Sequence, residues 1–177
     1  MEIICVEKLE DEMLSEQILK ILTNCNSEFV PPLTLRSSTT QGEFSDISEG
    51  SNDIPYAYFE GIKEQKMLVA EACGKVAGFM SFKTDFNSDV ITGEFLPNIY
   101  ISTVITDKAM RHKGVTKSLY GALLEKYEKR NIFTRTWSTN TAHTSLLTSL
   151  GFREFKRISN DRGNGIDTVY YKRTYDV

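Results

Sequence analysis

Thr106-Asp107-Lys108-Ala109-Met110-Arg111-His112-Lys113-Gly114-Val115-Thr116 is the stretch on which the reading of this chain turns. It joins a strand pattern at Asn98–Thr106 to an amphipathic helix whose apolar stripe is Val115, Leu119, Ala122 and Leu123, with Lys117, Glu125, Glu128 and Lys129 turned to water. A helix N-terminus exposes up to four unpaired N–H groups and about half a positive charge. Gly114 lets the backbone approach an anion without an intervening Cβ, and Arg111, Lys113 and Lys117 add cations nearby. The spacing therefore fits a phosphate-binding turn, although a basic strand-to-helix loop is more often simply a solvated connection.

Working outward, the strand pattern sets Ile99, Ile101, Thr103 and Ile105 on one face and Tyr100, Ser102, Val104 and Thr106 on the other. Before it, residues 67–72 and 76–83 flank a Gly74-Lys75 turn and read as an antiparallel hairpin. Further upstream, residues 2–6 read as a strand and Asp11 as the N-cap of a helix carrying Leu14, Ile18, Ile21 and Leu22 on one face. Residues 30–53 form an unusually long loop, and residues 54–65 a second helix. Downstream come a strand at 132–137, a short helix at 141–150 stopped by Gly151, and two strands at 152–158 and 168–173. This order predicts an α/β (α+β) fold with a mixed central sheet flanked by helices.

At 177 residues and 40% hydrophobic content, the chain is expected to form a single domain over residues 1–177. Its three cysteines, Cys5, Cys25 and Cys73, are widely spaced and accompanied by only two histidines, which argues against a metal site or a disulfide framework. The N-terminus has no basic region before its short apolar run, so the expectation is a cytoplasmic protein with no membrane partner. The net charge of −3 conceals an asymmetry: residues 1–100 hold 7 Lys and Arg against 17 Asp and Glu, and residues 101–177 hold 14 against 7. Such a split suits an anion in the C-terminal half and a cation in the N-terminal half. The basic half lacks interleaved aromatic residues, so no nucleic-acid partner is expected.

The turn resembles the acetyl-coenzyme A signature of the GNAT N-acetyltransferases: Arg or Gln, two residues, Gly, one residue, then Gly or Ala. Arg111, Gly114 and Thr116 occupy those positions, with Thr in the small-residue place. The family's later helix reads Asn, Ala at +3, Leu at +6, Tyr at +7 and Gly-Phe at +11 and +12. Asn140, Leu146, Gly151 and Phe152 match it, while His143 stands in the Ala place and Leu147 in the Tyr place. The resemblance covers residues 65–174 and implies the GNAT acyl-CoA N-acyltransferase fold, with acetyl-CoA as cosubstrate and no metal. It implies that strands 98–106 and 132–137 splay apart, that Val104, Ile105 and Thr106 hold the pantetheine, and that residues 111–116 (Arg111, His112, Lys113, Gly114, Val115, Thr116) hold the pyrophosphate beside Lys117. Asn140 would reach the pantetheine arm, cap the helix after it, or do both.

The activity so implied is transfer of acetyl to a primary amine by direct attack in a ternary complex. The alternative is a non-catalytic acyl-CoA-binding sensor or regulatory module of the same fold, and a homodimer is compatible with either. Tyr100, Ser102 and His143 are the candidate catalytic polar groups, with Glu94 as a carboxylate alternative. Because Leu147 replaces the usual acid and Ser102 and Thr103 stand where many relatives carry Glu, an acceptor with a low-pKa amine is favoured. The resemblance puts the acceptor pocket at the N-terminal helices, the long loop and residues 86–97. Glu43, Asp53 and Glu60 are candidates to attract a cationic amine, Tyr56 and Phe59 to wall the pocket, and Arg36 to bind a substrate carboxylate.

Overall fold

The computed structural model describes residues 1–36, 38–40 and 54–175. Among these, seven strands form one sheet: β1 (Glu2–Val6), β2 (Lys66–Ala72), β3 (Lys75–Thr84), β4 (Asn98–Thr106), β5 (Asn131–Trp137), β6 (Arg153–Ile158) and β7 (Thr168–Arg173). They lie in the order β1-β2-β3-β4-β5-β7-β6. All neighbours are antiparallel except β4 and β5, which run parallel because the helix α3 (Val115–Lys126) crosses between them. This is the expected mixed sheet.

Helices cover both faces. On one side α1 (Glu12–Cys25) and α2 (Tyr56–Lys63) bury Ile18, Leu22, Tyr58 and Ile62 against Met67, Val69, Phe79 and Ile105. Asp11 caps α1 by accepting the N–H of Leu14 at 2.8 Å. On the other side α3 and α4 (Thr141–Ser149) pack Leu119, Tyr120, Leu123 and Leu147 on Leu68, Met80, Ile101 and Ile132. Tyr120 thus joins the stripe read from the sequence, and Ala122 lies at its partly buried margin. A third, smaller cluster joins Tyr100 and Phe133 to Ile91 beneath the segment between β3 and β4, with Phe86 stacked on Tyr100 at 4.5 Å between centroids.

Two backbone features set how β4 and α3 sit on the rest of the sheet. Ile101 pairs with Phe82 and Thr103 with Ser81, so Ser102 is an extra residue in β4, a β-bulge. The simple alternation expected for this strand is therefore broken. Ile99 and Ile101 face α3 as one set, whereas Thr103 bonds the Tyr58 hydroxyl at 2.7 Å and Ile105 packs toward α1. The second feature is Gly78 on β3, where an added Cβ would lie 2.6 Å from the Ile105 carbonyl oxygen and 2.9 Å from Val115 Cγ1. The missing side chain lets the N-terminus of α3 settle directly on the sheet.

Candidate active site

β4 and β5 pair from Asn98↔Asn131 only as far as Ile101↔Thr134, and then part. The resulting gap holds a cleft of about 650 Å³ lined from both faces of the sheet. The backbone toward the gap can be placed by alternation. Asp107 donates its N–H to Ala77 on β3, so Ile105 and Thr103 also point their peptide groups at β3, while those of Val104 and Thr106 point into the opening. These groups belong to a strand that has lost its neighbour on that side, which makes them donors and acceptors for whatever enters.

The cleft ends at the N-terminus of α3. Gly114 is its N-cap in the left-handed region at φ 78° and supplies no side-chain cap. The first helical bond described runs from Ser118 N–H to the Gly114 carbonyl, leaving the N–H groups of Val115, Thr116 and Lys117 ahead of it without an intrahelical acceptor. His112 is also left-handed, at φ 61°. Thr116, the residue that departs from the family pattern, shares a 2.8 Å hydrogen bond with the Thr106 hydroxyl and so ties the helix start to the end of β4. The Arg111 guanidinium bonds Glu28 at 2.7 Å and approaches Cys25 Sγ at 3.5 Å, and Lys108 bonds the same carboxylate at 3.0 Å. The Lys113 ammonium turns back to the Ala109 carbonyl at 3.2 Å.

Of the residues expected to hold the donor, Val104, Ile105, Thr106, Arg111, His112, Gly114, Val115, Thr116, Lys117 and Asn140 all line this cleft. Lys113 does not. Asn140 caps α4, accepting the His143 N–H at 3.3 Å, and its amide donates to Thr136 Oγ1 at 3.2 Å while it borders the cleft. An orphaned polar atom supports a ligand in this gap: Ser102 Oγ is buried at the bulge and lacks a hydrogen-bond partner among the described residues. An uncapped helix start with basic neighbours, next to a strand with open peptide groups, fits a molecule that is anionic at one end and amide-bearing along its length.

The polar candidates for proton transfer separate. Ser102 and His143 line the cleft. The His143 imidazole lies 2.8 Å from the Tyr120 hydroxyl, and burial pushes its pKa down to about 4, so it is neutral at pH 7. Tyr100 is fully buried away from the cleft, and burial pushes its hydroxyl up to about 12. Glu94 lies exposed on the segment before β4 and accepts from Thr92 at 3.0 Å. Among the described residues Glu28 is the carboxylate that borders the cleft, and it is engaged by Arg111 and Lys108. Three or more potential metal ligands do not gather anywhere among the described residues. No described helix is long and apolar enough to cross a membrane.

The other end of the cleft is not built from the acids and aromatics of α2. Glu60 is exposed and paired with Lys63, Tyr56 is exposed, and Phe59 is buried in the core beneath α1. Glu43 and Asp53 lie outside the described residues. In place of α2, the cleft is walled by Phe29 and Trp137, whose rings meet at 5.6 Å, and by Arg36, Arg135 and Arg162. Arg36 was legible as a candidate. Arg135 carried one available signal, a charged residue at the centre of the strand read at 132–137, and Arg162 none, since its position in a Gly-rich turn gives no hint of its 7% exposure.

Comparison with known proteins agrees with this architecture of a splayed mixed sheet feeding an uncapped helix. The family model described as the acetyltransferase (GNAT) family matches residues 34–152. The chain belongs to that family. A search of curated proteins finds no match. Among solved structures it is similar to an N-acetyltransferase from Staphylococcus aureus Mu50, with 16% identity, TM-score 0.65, and coverage of 99% of this chain and 100% of that one. It is similar to a ribosomal-protein-alanine N-acetyltransferase from Brucella melitensis, with 17% identity, TM-score 0.67, and coverage of 98% and 99%. A protein from Salmonella typhimurium solved with its cofactor acetyl-CoA gives 18% identity, TM-score 0.64, and coverage of 100% and 96%. At these identities the likeness speaks to the fold.

Proposed function

We propose that the chain binds acetyl-CoA in the gap between β4 and β5 and transfers its acetyl group to a primary amine by direct attack in a ternary complex. The observation that carries this reading is the parting of β4 from β5 after Ile101 and Thr134, which opens the peptide groups of Val104 and Thr106 in line with the uncapped N-terminus of α3. In this reading the N–H groups at 115–117 and Lys117 hold the pyrophosphate, β4 orients the pantetheine as a further strand would lie, and Asn140 borders its arm. Acetyl-CoA supplies an activated acyl group. The protein aligns it with the amine, an effect that can supply roughly 7 to 11 kcal/mol, more than the 3 to 5 kcal/mol of a typical acid or base.

Among the described residues the carboxylate bordering the cleft, Glu28, is engaged by Arg111 and Lys108, and His143 is too weakly basic to remove a proton from an ammonium. The acceptor amine therefore arrives neutral, which favours an α-amine or another amine of low pKa over a lysine-like one. Purified protein mixed with acetyl-CoA and a broad panel of amines should release CoA well above the hydrolysis blank, with intersecting initial-rate patterns when both substrates are varied. Burial of Leu147 in the core where relatives carry an acid favours a second reading, a non-catalytic acyl-CoA-binding module. Tight acetyl-CoA binding without CoA release across the panel would establish that reading.

A further inference from the structure

Ser102 is the first residue of β4 beyond its last pair with β5, since that pairing stops at Ile101↔Thr134. It is also the extra residue of the bulge against β3, so the register on both sides of the strand breaks at one point. The other hydroxyl side chains lining the cleft have partners. Thr103 shares a 2.7 Å bond with Tyr58, and Thr106 one of 2.8 Å with Thr116. Thr134 donates to the Ile101 carbonyl at 3.3 Å, Thr136 accepts from Asn140 at 3.2 Å, and Thr39 accepts from Gln65 at 3.0 Å. The Ser102 hydroxyl is the exception: it is buried and has no partner among the described residues.

A buried hydroxyl without a partner is costly, and a ligand that accepts from it removes the cost. Ser102 as a residue is half-buried and lines the cleft, so its O–H needs no more than a turn about χ1 to meet such a ligand. The order of groups along β4 decides which ligand atom that is. A donor with its pyrophosphate at the start of α3 and its arm beside Thr106 and Val104 comes to Ser102 with its far end, the thioester. Four residues of strand separate Thr106 from Ser102, about 13 Å, a distance that an extended pantetheine arm covers. Within the thioester the carbonyl oxygen is the strong acceptor and the sulfur a weak one, while the incoming amine must keep its lone pair for attack.

We propose that Ser102 is a catalytic residue whose hydroxyl donates a hydrogen bond to the acyl oxygen of the bound thioester. This deepens the acetyl-transfer reading and rests on it for the reaction; the contact itself forms in the donor complex before any amine arrives. As the amine nitrogen attacks, the C–N bond forms and the carbonyl π pair moves onto that oxygen. The Ser102 O–H, keeping its proton, stabilises the charge there. The C=O bond then re-forms, the C–S bond breaks, and the thiolate takes up the proton that the amine nitrogen gives off. No acid or base is asked of Ser102.

The test pairs binding with turnover. Calorimetry on the whole protein would compare acetyl-CoA with CoA and with S-ethyl-CoA, in which a methylene replaces the carbonyl. Wild type should favour acetyl-CoA over S-ethyl-CoA about fivefold, the scale of one neutral hydrogen bond, and Ser102→Ala should abolish that preference while binding CoA as wild type does. With the best acceptor of the amine panel, kcat should fall about a hundredfold in Ser102→Ala and recover in part in Ser102→Thr. The thermal readout has the opposite sign: Ser102→Ala removes an unpartnered buried hydroxyl and should melt no lower than wild type. Equal binding of acetyl-CoA and S-ethyl-CoA by wild type overturns the proposal whatever the variants do. So does an unchanged kcat in Ser102→Ala, or a loss of activity that accompanies a lower Tm and weaker CoA binding. A preference for acetyl-CoA that Ser102→Ala removes, with no CoA release for any amine, would overturn the acetyl-transfer reading and leave the Ser102 contact standing.

Discussion

His143 shows how far a single residue can be read before its surroundings are known. A histidine in the place of a family alanine is a natural candidate for proton transfer, because its ordinary pKa of 6.5 lies near neutrality. Packed against Tyr120 and held at about 4 by burial, it is neutral at pH 7 and shares a hydrogen bond with that hydroxyl. The consequence for stability has a definite sign. The unfolded chain takes up the proton as pH falls below 6.5, while the folded chain does so only near 4, so His143 lowers stability progressively across that window and has no such effect above it. Urea unfolding of wild type and His143→Gln, which keeps a partner for Tyr120, should diverge in that window by on the order of 1 to 3 kcal/mol. Parallel stability curves between pH 7 and 4 would show that His143 titrates normally. Asn140 is the opposite case, since its capping role and its place at the cleft were both legible and both coexist.

Elements carry the precision that the site needs. Strand β4 was legible to the residue at both ends, yet its faces were not, because one extra residue at Ser102 exchanges the faces beyond it. A bulge is set by how two strands register against each other, and one strand's own alternation does not contain that information. Gly78 acts between elements in the same way: it is unremarked in its own strand and matters through the approach of Ile105 and Val115. Gly78→Ala should therefore cost about 1 to 3 kcal/mol by overpacking, a fall of several degrees in Tm. It should also weaken acetyl-CoA binding, because any relief of the contact moves the start of α3. A variant of unchanged Tm would show that β3 and α3 separate freely.

On the scale of the whole molecule, the opposite charges of the two halves meet at a defined place. Glu28, just after α1, engages Arg111 and Lys108 of the turn, so a carboxylate from the acidic half rests against the cations ahead of the N-terminus of α3. This exposed pair is worth at most about 1 kcal/mol, and its removal should free Arg111 and Lys108 for phosphate. Acetyl-CoA titrated into Glu28→Gln at low salt should bind about two- to fivefold more tightly than to wild type, an advantage that shrinks as salt screens it. Weaker binding would mean that Glu28 orders the turn productively.

Of the acids expected to attract the acceptor, Glu60 does not line the cleft, and Glu43 and Asp53 lie outside the described residues. The described end is walled by Arg36, Arg135 and Arg162, drawn from both halves of the chain. The sequence by itself determined the order of strands and helices, the Asp11 and Asn140 caps and the position of the basic turn before α3, because each arises from periodicity or from contacts within a few residues. Only the tertiary structure decided the bulge at Ser102, the neutral His143 and the meeting of three arginines, because each depends on residues distant in the chain sharing one desolvated space.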